Sequence, residues 1–393
     1  MTDHVFSVDL RMLHASGIGT YLQNLLPNLL SIHKDLKYNL LGRRQEFRQF
    51  PIAGNENVTL IDYDSPVYSL SEQIELFRKL PSDTALFWSP HYNIPLLPIN
   101  AKKKIVTIHD VFHLAFFDQL SLKEKIYARL MLNAAVRMSD KIITVSNFSR
   151  SEIIKYTGAD KDRITVIHNG IDRRLFRPIT DKEKYSPASS PPKEGITILD
   201  NLRKKYSLPK EFIIFVGNVK PNKNLKRLLE AYELLIKKGD AKYGLVIIGK
   251  KEGFITGDSE SFRFLKNSSS LQEKVLFTGS VDTSELPAVY NSASMLVFPS
   301  LYEGFGLPPL EAMACGCPVI VSNTASLPEV CGDAAYYVDP YSVESIAEGM
   351  NKVHSDGALR EDLIQKGLER AGMFSWEESA KEHMNIFEEI ITN

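Results

Sequence analysis

Residues 295–322 read MLVFPSLYEGFGLPPLEAMACGCPVIVS, and this stretch decides the fold class. Its two short apolar runs, residues 295–299 and 318–322, are joined by a glycine- and proline-rich turn and a segment of helix length. Such a pattern predicts a strand–helix–strand unit with parallel strands. Because neither run alternates with polar residues, we expect these strands to be buried on both faces of the sheet.

The same alternation of apolar runs and helical patterns continues along the 393-residue chain. It predicts an α/β protein with two Rossmann-like, doubly wound parallel-sheet domains. Helical patterns cover residues 19–30, 122–138 and 148–156. The predicted strands are residues 5–10, 38–42, 58–62, 85–88, 104–109, 141–145 and 164–168 in the first domain and residues 212–216, 245–249, 275–279, 295–299, 318–322 and 335–338 in the second.

A change in composition indicates the domain boundaries. Residues 180–195, TDKEKYSPASSPPKEG, are rich in proline, serine and charge, as is typical of a linker or a surface excursion. We therefore predict a first domain at residues 1–178, a linker at 179–208 and a second domain at 209–372. Residues 373–393 are predicted to form a C-terminal helix, for which packing against the first domain is one option.

Composition also limits the classes of function. The net charge of −1 provides no general attraction for nucleic acid, so we expect no nucleic-acid partner. Three cysteines are too few for a disulfide framework, which favours a reducing compartment. The N-terminus lacks the basic and apolar regions of a secretion signal, and no apolar stretch approaches the roughly 20 residues that span a bilayer. We expect a cytoplasmic protein.

The turn after the first strand contains Gly17 and Gly19. Glycines there allow positive φ angles and close approach of the backbone, and the N-terminus of the following helix offers unpaired N–H groups to a diphosphate. The pattern lacks the third glycine of the dinucleotide-binding fingerprint. Taken alone, it favours an ordinary tight turn.

The matching turn of the second domain contains Gly217, Asn218 and Lys223. Lys223 stands where the next helix opens, and a lysine at that position opposes the helix dipole unless an anion is present. A charge-assisted hydrogen bond to a phosphate oxygen contributes about 1.5–3 kcal/mol, which outweighs that cost. The alternative is a solvated lysine near a turn.

Two acids, Glu303 and Glu311, flank the turn in the deciding stretch. Both carboxylates can face one ligand, while the N–H groups of Phe305, Gly306 and Leu307 face its anionic part. A sugar nucleotide needs this division, because its hydroxyls need acceptors and its phosphates need donors. An acidic residue that only complements the helix dipole would explain Glu311, but it would not explain the glycines.

Residues 303–323, EGFGLPPLEAMACGCPVIVSN, resemble the Glu-x7-Glu signature of the family-four retaining glycosyltransferases, also called glycosyl transferases group 1. Other segments are similar to that family in the same order: GIGTY, TIHD, VSNFSRSEI, HNGID, VGNVKPNKN, FTGSV, LPEVCGDAA and FSW. The resemblance covers nearly the whole chain. It implies the GT-B fold, in which two Rossmann-like domains face a cleft that binds a nucleotide sugar.

The resemblance also implies roles for individual residues. Glu303 would hold hydroxyls of the donor sugar, Glu311 would accept from the ribose and Lys223 would neutralise the diphosphate. His109 would touch the donor sugar near the reacting carbon. The implied catalytic residues are His109, Glu303 and Lys223. The implied nucleotide-sugar-binding set is Gly17, Gly19, Gly217, Asn218, Lys223, Gly279, Val281, Glu303, Gly304, Phe305, Gly306, Leu307 and Glu311.

One position departs from the family pattern. Many relatives carry an arginine where this chain has Asn218, and Lys220 or Arg11 could supply the missing positive charge. His109 also has a second interpretation, because together with Asp110 it could act as a general base or form half of a metal pair.

The activity implied by the resemblance is retaining transfer of a hexose from a donor of the UDP-glucose or GDP-mannose type to a saccharide or lipid-linked saccharide. No metal ion and no cofactor are expected. Two alternatives are a nicotinamide-dependent oxidoreductase, for which the glycine fingerprint is incomplete, and a sugar-binding protein without catalysis, which would normally carry an export signal.

The helical pattern at residues 122–138 is basic. Its cations could contact an anionic membrane that carries a lipid-linked glycan, which would place the protein at the inner membrane face. A solvated helix face is the alternative. The cations are Lys123, Lys125, Arg129 and Arg137.

Overall fold

The computed structural model describes residues 4–33, 35–47, 55–67, 69–179, 198–250 and 258–392. The chain divides into two compact units. Unit 1 comprises Met1–Gly170 together with Ser375–Asn393, and unit 2 comprises Ile171–Phe374.

Unit 1 contains a seven-stranded sheet formed by β1 (Val5–Asp9), β2 (Lys37–Gly42), β3 (Val58–Asp62), β4 (Thr84–Ser89), β5 (Ala101–Thr107), β6 (Lys141–Thr144) and β7 (Ile164–Val166). Neighbouring strands pair in parallel in the order β3-β2-β1-β4-β5-β6-β7. The structure confirms each strand that the sequence predicts in this half. The strand order reverses between β1 and β4, so ligands are expected at the carboxyl ends of these two strands.

The helices of the first part of the chain connect these strands. Helix α5 begins with a capping box, in which the Ser121 side chain accepts from the Glu124 backbone and the Glu124 side chain accepts from the Ser121 backbone. Helix α6 ends at Gly158, whose φ of 67° suits glycine. The helices are α1 (Ser16–Ile32), α2 (Arg44–Phe47), α3 (Leu70–Lys79), α4 (Phe112–Ala115), α5 (Leu122–Met138) and α6 (Asn147–Thr157).

Unit 2 contains a six-stranded parallel sheet formed by β8 (Phe212–Val216), β9 (Gly244–Ile248), β10 (Val275–Gly279), β11 (Leu296–Phe298), β12 (Val319–Ser322) and β13 (Tyr336–Val338). The strand order is β10-β9-β8-β11-β12-β13, which reverses between β8 and β11. Strands β8, β11 and β12 are buried throughout, as their continuous apolar runs predict. All six predicted strands are confirmed.

The sheet of unit 2 is covered by helices whose apolar faces form one core with it. Helix α8 ends at Gly239, where a φ of 79° again requires the left-handed conformation. The helices are α7 (Ile198–Tyr206), α8 (Leu225–Lys238), α9 (Ser259–Asn267), α10 (Ser269–Lys274), α11 (Leu286–Ser292), α12 (Leu307–Ala314), α13 (Leu327–Cys331), α14 (Val343–Ser355) and α15 (Gly357–Gly372).

The boundary between the units precedes the predicted boundary at residue 178. Residues 171–179 pack within unit 2, where the Phe176 ring contacts the Tyr290 ring at a centroid distance of 6.2 Å. The Asn291 side chain also accepts a hydrogen bond from the Ile179 backbone at 2.8 Å. These contacts explain why the chain joins unit 2 as early as Ile171.

Part of the predicted linker is helical, and the predicted C-terminal helix belongs to unit 1. Residues 180–197 lie outside the described residues, but residues 198–206 form α7 and not a linker, and Lys205 at its end pairs with Glu285 at 2.7 Å. The last helix, α16 (Trp376–Thr392), belongs to unit 1 and packs against α1. None of the helices in the described parts of the chain combines the length and the apolar character that a bilayer crossing requires.

Candidate active site

The loops that follow β8 and β11 are joined by hydrogen bonds at the point where the strand order of unit 2 reverses. The Leu301 N–H donates to the Asn222 carbonyl at 2.7 Å, and the Asn222 side chain donates to the Tyr302 carbonyl at 3.0 Å. The Asn224 side chain donates to the Pro299 carbonyl at 2.9 Å. Open parallel sheets bind ligands at such a position. Asn222 and Asn224 were not predicted from the sequence, because their hydrogen bonds to a distant loop leave no local signal.

Lys223 and Glu303 meet between these two loops. The Lys223 Nζ lies 2.6 Å from Glu303 Oε1, and the two side chains are 17% and 12% exposed. The same Nζ lies 5.0 Å from the centroid of the Phe298 ring. The structure therefore brings together two residues that are predicted to bind different parts of one ligand. In the structure, their opposite charges neutralise each other. A diphosphate that bound Lys223 would have to compete with Glu303 for the ammonium group.

Three glycines end adjacent strands on one side of this pair. Gly217, Gly249 and Gly279 follow or end β8, β9 and β10 with φ angles of 149°, 150° and 74°. The Gly217 N–H donates to the Ile248 carbonyl and the Gly249 N–H to the Gly279 carbonyl, both at 2.9 Å. A Cβ atom on Gly249 would lie 2.0 Å from the Gly217 oxygen, so glycine is required there. The strand ends thus form a surface of bare backbone.

Two further residues that are predicted to bind the nucleotide sugar, Asn218 and Val281, flank this glycine surface. The Asn218 side chain accepts a hydrogen bond from the Lys250 backbone at 3.4 Å, which holds it across the end of β9. Val281 lies just beyond β10 and is half-buried. These positions are compatible with the predicted roles, and those roles stay predictions.

The turn between Glu303 and α12 has a strained start. Gly306 has a φ of 115° and precedes the first helical residue, Leu307. A Cβ atom on Gly306 would lie 2.9 Å from a methyl group of Leu327, so the turn needs glycine. The Ser326 hydroxyl lies within hydrogen-bond distance of the Glu303 and Phe305 carbonyls, at 3.0 and 2.7 Å. Gly304 and Phe305 are buried in this turn. Sequence reasoning missed Ser326, which follows β12 without a motif.

Glu311 lies one turn inside α12 and is 9% exposed. The Tyr290 hydroxyl donates to its Oε2 at 3.0 Å. Burial raises the pKa of Glu311 to about 7, against the lowering effect of that hydrogen bond. The carboxyl group of Glu311 therefore binds a proton more readily than an exposed glutamate does. Tyr290 was not singled out from the sequence, because nothing local links it to Glu311.

In unit 1 the structure corrects the prediction for Gly17 and Gly19. Both lie inside the first turns of α1, which begins at Ser16, and neither has a positive φ. Gly19 still permits a close approach, because a Cβ atom there would lie 2.7 Å from the Leu13 carbonyl oxygen. Gly17 is exposed, with open space where its Cβ would be. The N-cap residue, Ala15, offers no side-chain acceptor to the first-turn amides, so a helix start was hard to predict here.

Arg11 is held by two carboxylates. Its Nη2 lies 2.6 Å from Asp9 Oδ2 and its Nη1 lies 2.6 Å from Glu72 Oε2. The guanidinium also stacks 4.1 Å from the centroid of the Tyr63 ring. Arg11 is thus already paired with two carboxylates. This argues against Arg11 as the source of the positive charge that many relatives obtain from an arginine at the position of Asn218.

His109 follows β5 in unit 1. Its Nε2 lies 3.0 Å from the Pro90 carbonyl oxygen, which can only accept, so Nε2 carries the proton and Nδ1 is the acceptor atom of the ring. Burial lowers the pKa of His109, which keeps the imidazole neutral. The neighbouring Asp110 side chain accepts a hydrogen bond from the N–H of Phe112, the first residue of α4, at 2.9 Å.

Metal ligation was the other interpretation of His109 and Asp110. Across the described ranges, no three or more His, Cys, Asp or Glu side chains cluster as a candidate metal site. The position of His109 relative to the reacting carbon of a donor stays a prediction.

Comparison with known proteins identifies the family. Residues 200–370 match the family described as Glycosyl transferases group 1, and residues 67–175 match Glycosyltransferase Family 4. O-antigen chain mannosyltransferase B of Escherichia coli is 32% identical over 293 residues, which are 74% of this chain and 71% of that protein. This chain belongs to the group 1 glycosyltransferases. The family favours sugar transfer in glycan biosynthesis over the oxidoreductase and sugar-binding alternatives.

Solved structures show the fold of this glycosyltransferase. Sucrose-phosphate synthase from Thermosynechococcus elongatus superposes with a TM-score of 0.76 at 17% identity, over 99% of each chain. Anabaena HepE in complex with UDP-glucose superposes with a TM-score of 0.72 at 15% identity, over 98% of this chain and 99% of that chain. The predicted GT-B class, with two Rossmann-like parallel-sheet units, is confirmed.

Proposed function

We propose that this glycosyltransferase is a retaining mannosyltransferase, which transfers mannose from GDP-mannose to a saccharide or lipid-linked saccharide without a metal ion. The observation that carries the proposal is the Lys223–Glu303 pair, 2.6 Å apart where the strand order of unit 2 reverses. It offers one cation for a diphosphate and one carboxylate for sugar hydroxyls. The choice of mannose is supported by the E. coli relative, which is a mannosyltransferase.

Donor binding exchanges the partners of this ion pair. The diphosphate takes the ammonium group of Lys223, and Glu303 then accepts hydrogen bonds from hydroxyls of the sugar. Both side chains are largely shielded from water, so an unpaired charge on either one is costly. The complete donor satisfies both groups, whereas a diphosphate without a sugar satisfies only the lysine. The site therefore favours the intact nucleotide sugar.

Transfer breaks the bond between the anomeric carbon and the phosphate oxygen. The oxygen of an acceptor hydroxyl forms the new bond to that carbon, and its proton passes to the departing diphosphate. Negative charge develops on the departing diphosphate. Lys223 and the backbone N–H groups of Gly306 and Leu307 stabilise that charge, which is the contribution that a metal ion makes in other transferases. Retention requires the acceptor to attack from the face that the diphosphate leaves.

Other residues bind the remaining parts of the donor. Glu311, with a pKa near neutrality, accepts from the ribose hydroxyls when it is ionised. The bare backbone at Gly217 and Gly279 allows the nucleotide to lie close to the strand ends. In unit 1, the neutral Nδ1 of His109 is an acceptor that a sugar hydroxyl can use.

The direct test supplies the enzyme with GDP-mannose or UDP-glucose and a set of saccharide acceptors, in excess chelator, and measures the release of nucleoside diphosphate. GDP release with formation of an α-mannoside from the α-configured donor supports the proposal. UDP release alone supports the second donor, which the likeness to HepE in complex with UDP-glucose makes worth testing. Loss of activity in chelator, or an inverted product by NMR, would overturn the metal-free or the retaining part.

A further inference from the structure

One face of α5 leaves three large aliphatic side chains in solvent. Leu122, Ile126 and Leu130 are 73%, 62% and 55% exposed. They recur at intervals of four residues, so they form a stripe along consecutive turns of the helix. Isolated apolar residues are common on protein surfaces, but an aligned set of this kind indicates a binding surface.

Cations share this face. Lys123, Arg129 and Arg137 are exposed, and at 100° per residue they fall on the same third of the helix circumference as the aliphatic stripe. The one acidic residue in the sequence of α5, Glu124, lies elsewhere and accepts from the Ser121 N–H at 2.8 Å. Lys125 also lies off this face, with its Nζ 5.3 Å from the centroid of the Phe117 ring.

The opposite face of α5 is fixed in the core of unit 1. Ala128, Met131, Leu132, Ala135 and Val136 are buried there. The helix is therefore already packed through an apolar face of its own, and the outer stripe is additional apolar surface. From Leu122 to Arg137 the outer face runs for roughly 22 Å at a rise of 1.5 Å per residue.

We propose that this outer face of α5 docks unit 1 on a bilayer surface that contains anionic phospholipid. The cores of protein interfaces are depleted of lysine and of charged side chains other than arginine, whereas this face has three cations among its aliphatic side chains. A lipid interface accommodates both, because aliphatic groups enter the acyl boundary while lysine and arginine remain at the phosphates. The proposal concerns binding alone and does not depend on which sugar is transferred.

The test is co-sedimentation of the full chain with vesicles in the absence of donor and acceptor. Vesicles of phosphatidylglycerol and phosphatidylcholine are compared with vesicles of phosphatidylcholine alone, at low salt and at about 1 M salt, where charges are screened within about 3 Å. We expect binding to the anionic vesicles and a strong decrease in high salt.

Two triple variants separate the contributions. Replacement of Lys123, Arg129 and Arg137 by glutamine should weaken binding about hundredfold, because each cation near an anionic surface contributes about fivefold. The variant L122Q/I126Q/L130Q should weaken binding at least about tenfold through loss of apolar insertion. Matched controls at exposed positions elsewhere, Tyr341→Gln and Lys381→Gln, should bind as the unchanged chain does.

Circular dichroism melting should show that both triple variants fold, since all six positions are exposed. The proposal is overturned if either variant binds anionic vesicles as tightly as the unchanged chain, or if neutral vesicles bind equally well. It is also overturned if the aliphatic variant abolishes self-association in sedimentation and leaves vesicle binding intact. Because no transfer reaction is measured, failure here leaves the proposed sugar transfer standing.

Discussion

The Tyr21 hydroxyl lies 2.6 Å from Nε2 of His383, and this hydrogen bond joins α16 to α1 in the interior of unit 1. The Nδ1 of His383 lies 2.6 Å from the Ser379 carbonyl, so Nδ1 carries the proton and Nε2 accepts from the tyrosine. The Tyr21 ring also packs edge-on against His109, with centroids 4.8 Å apart. The C-terminal helix thus supports the predicted catalytic histidine through one tyrosine.

Replacement of His383 by alanine is expected to lower the free energy of unfolding by about 2–4 kcal/mol, because it leaves a cavity and removes the shorter of the two hydrogen bonds of the buried Tyr21 hydroxyl. Tyr21→Phe is the matched control. It removes the hydrogen bond but keeps the ring against His109, so it should cost only about 1 kcal/mol and leave turnover nearly unchanged. Urea unfolding and kcat measure both effects. Equal losses of stability in the two variants would contradict a role for packing.

Acid should destabilise the protein through its buried histidines. Burial lowers the pKa of His383 to about 4 and, with the nearby charges of other histidines, that of His91 to about 3. A histidine in the unfolded chain titrates near 6.5, so between that pH and 4 the unfolded chain binds protons that the folded chain does not. His383 alone then lowers the free energy of unfolding by about 3 kcal/mol as the pH falls. Urea unfolding of His383→Gln should show a shallower fall with pH; parallel curves would refute this account.

Glu311 should act in the opposite direction. Its folded pKa of about 7 exceeds the unfolded value near 4.5, so the stability it provides is lost as the pH rises through 7. Glu311→Gln should therefore gain up to about 3 kcal/mol over the unchanged chain at pH 8 and nearly nothing at pH 4. The same variant should bind GDP more weakly at pH 8, since it lacks the charged acceptor for the ribose. A gain in stability that is equal at both pH values would show that Glu311 is not the titrating group.

Loss of the Lys223 charge should slow transfer, and the unpaired Glu303 should also lower the stability of the fold. Lys223→Met removes the cation beside the leaving diphosphate, and we expect kcat to fall roughly 10²- to 10³-fold. Lys226→Met is the matched control, because Lys226 is 44% exposed on α8 and pairs with Glu260. Steady-state measurements of kcat for both variants test this expectation. A Lys223→Met enzyme with near-normal kcat would exclude the assignment.

Glu303→Gln makes the complementary prediction for the same pair. Neutral glutamine no longer competes for Lys223, so free GDP should bind more tightly, by a factor of about 10 if the pair contributes about 1.4 kcal/mol. Turnover of the complete donor should fall, since glutamine is a weaker acceptor for sugar hydroxyls. Calorimetric titration with GDP measures the first effect. Weaker binding of GDP would mean that Glu303 does not restrain the lysine.

The sequence predicts every strand of both sheets because continuous apolar runs bounded by turns are local signals. It also predicts that Lys223 and Glu303 each follow a buried strand, but the pairing of those two strands, β8 and β11, comes from the structure. Their ion pair was not predictable, since the residues are 80 positions apart and no local pattern links them. The contact of Tyr21 with His383, 362 residues away, carries no motif at all. The start of α1 was misplaced because Ala15 is not a capping residue that sequence rules detect.

The close contact between the ends of β8 and β9 leads to a further prediction, on stability. Gly249→Ala forces a Cβ atom to within 2.0 Å of the Gly217 oxygen at a φ of 150°, so we expect a loss of at least about 3 kcal/mol. Gly279→Ala is the matched control, because its φ is 74° but nothing lies within 4 Å of the new Cβ. It should cost only about 1–2 kcal/mol, from the left-handed backbone alone.

The Gly249→Ala and Gly279→Ala variants also show whether the strand ends affect nucleotide binding directly or only through the stability of the fold. Relief of the Gly249 clash must move Gly217, whose loop carries Lys223, so Gly249→Ala should weaken GDP binding even at temperatures where it is fully folded. Gly279→Ala lies one strand further from the lysine and should retain more of that affinity. Urea unfolding and GDP titration of the same samples provide both measurements. Equal stabilities of the two variants would show that the strand ends can separate without cost, and the rigid backbone surface proposed for the nucleotide would then be wrong.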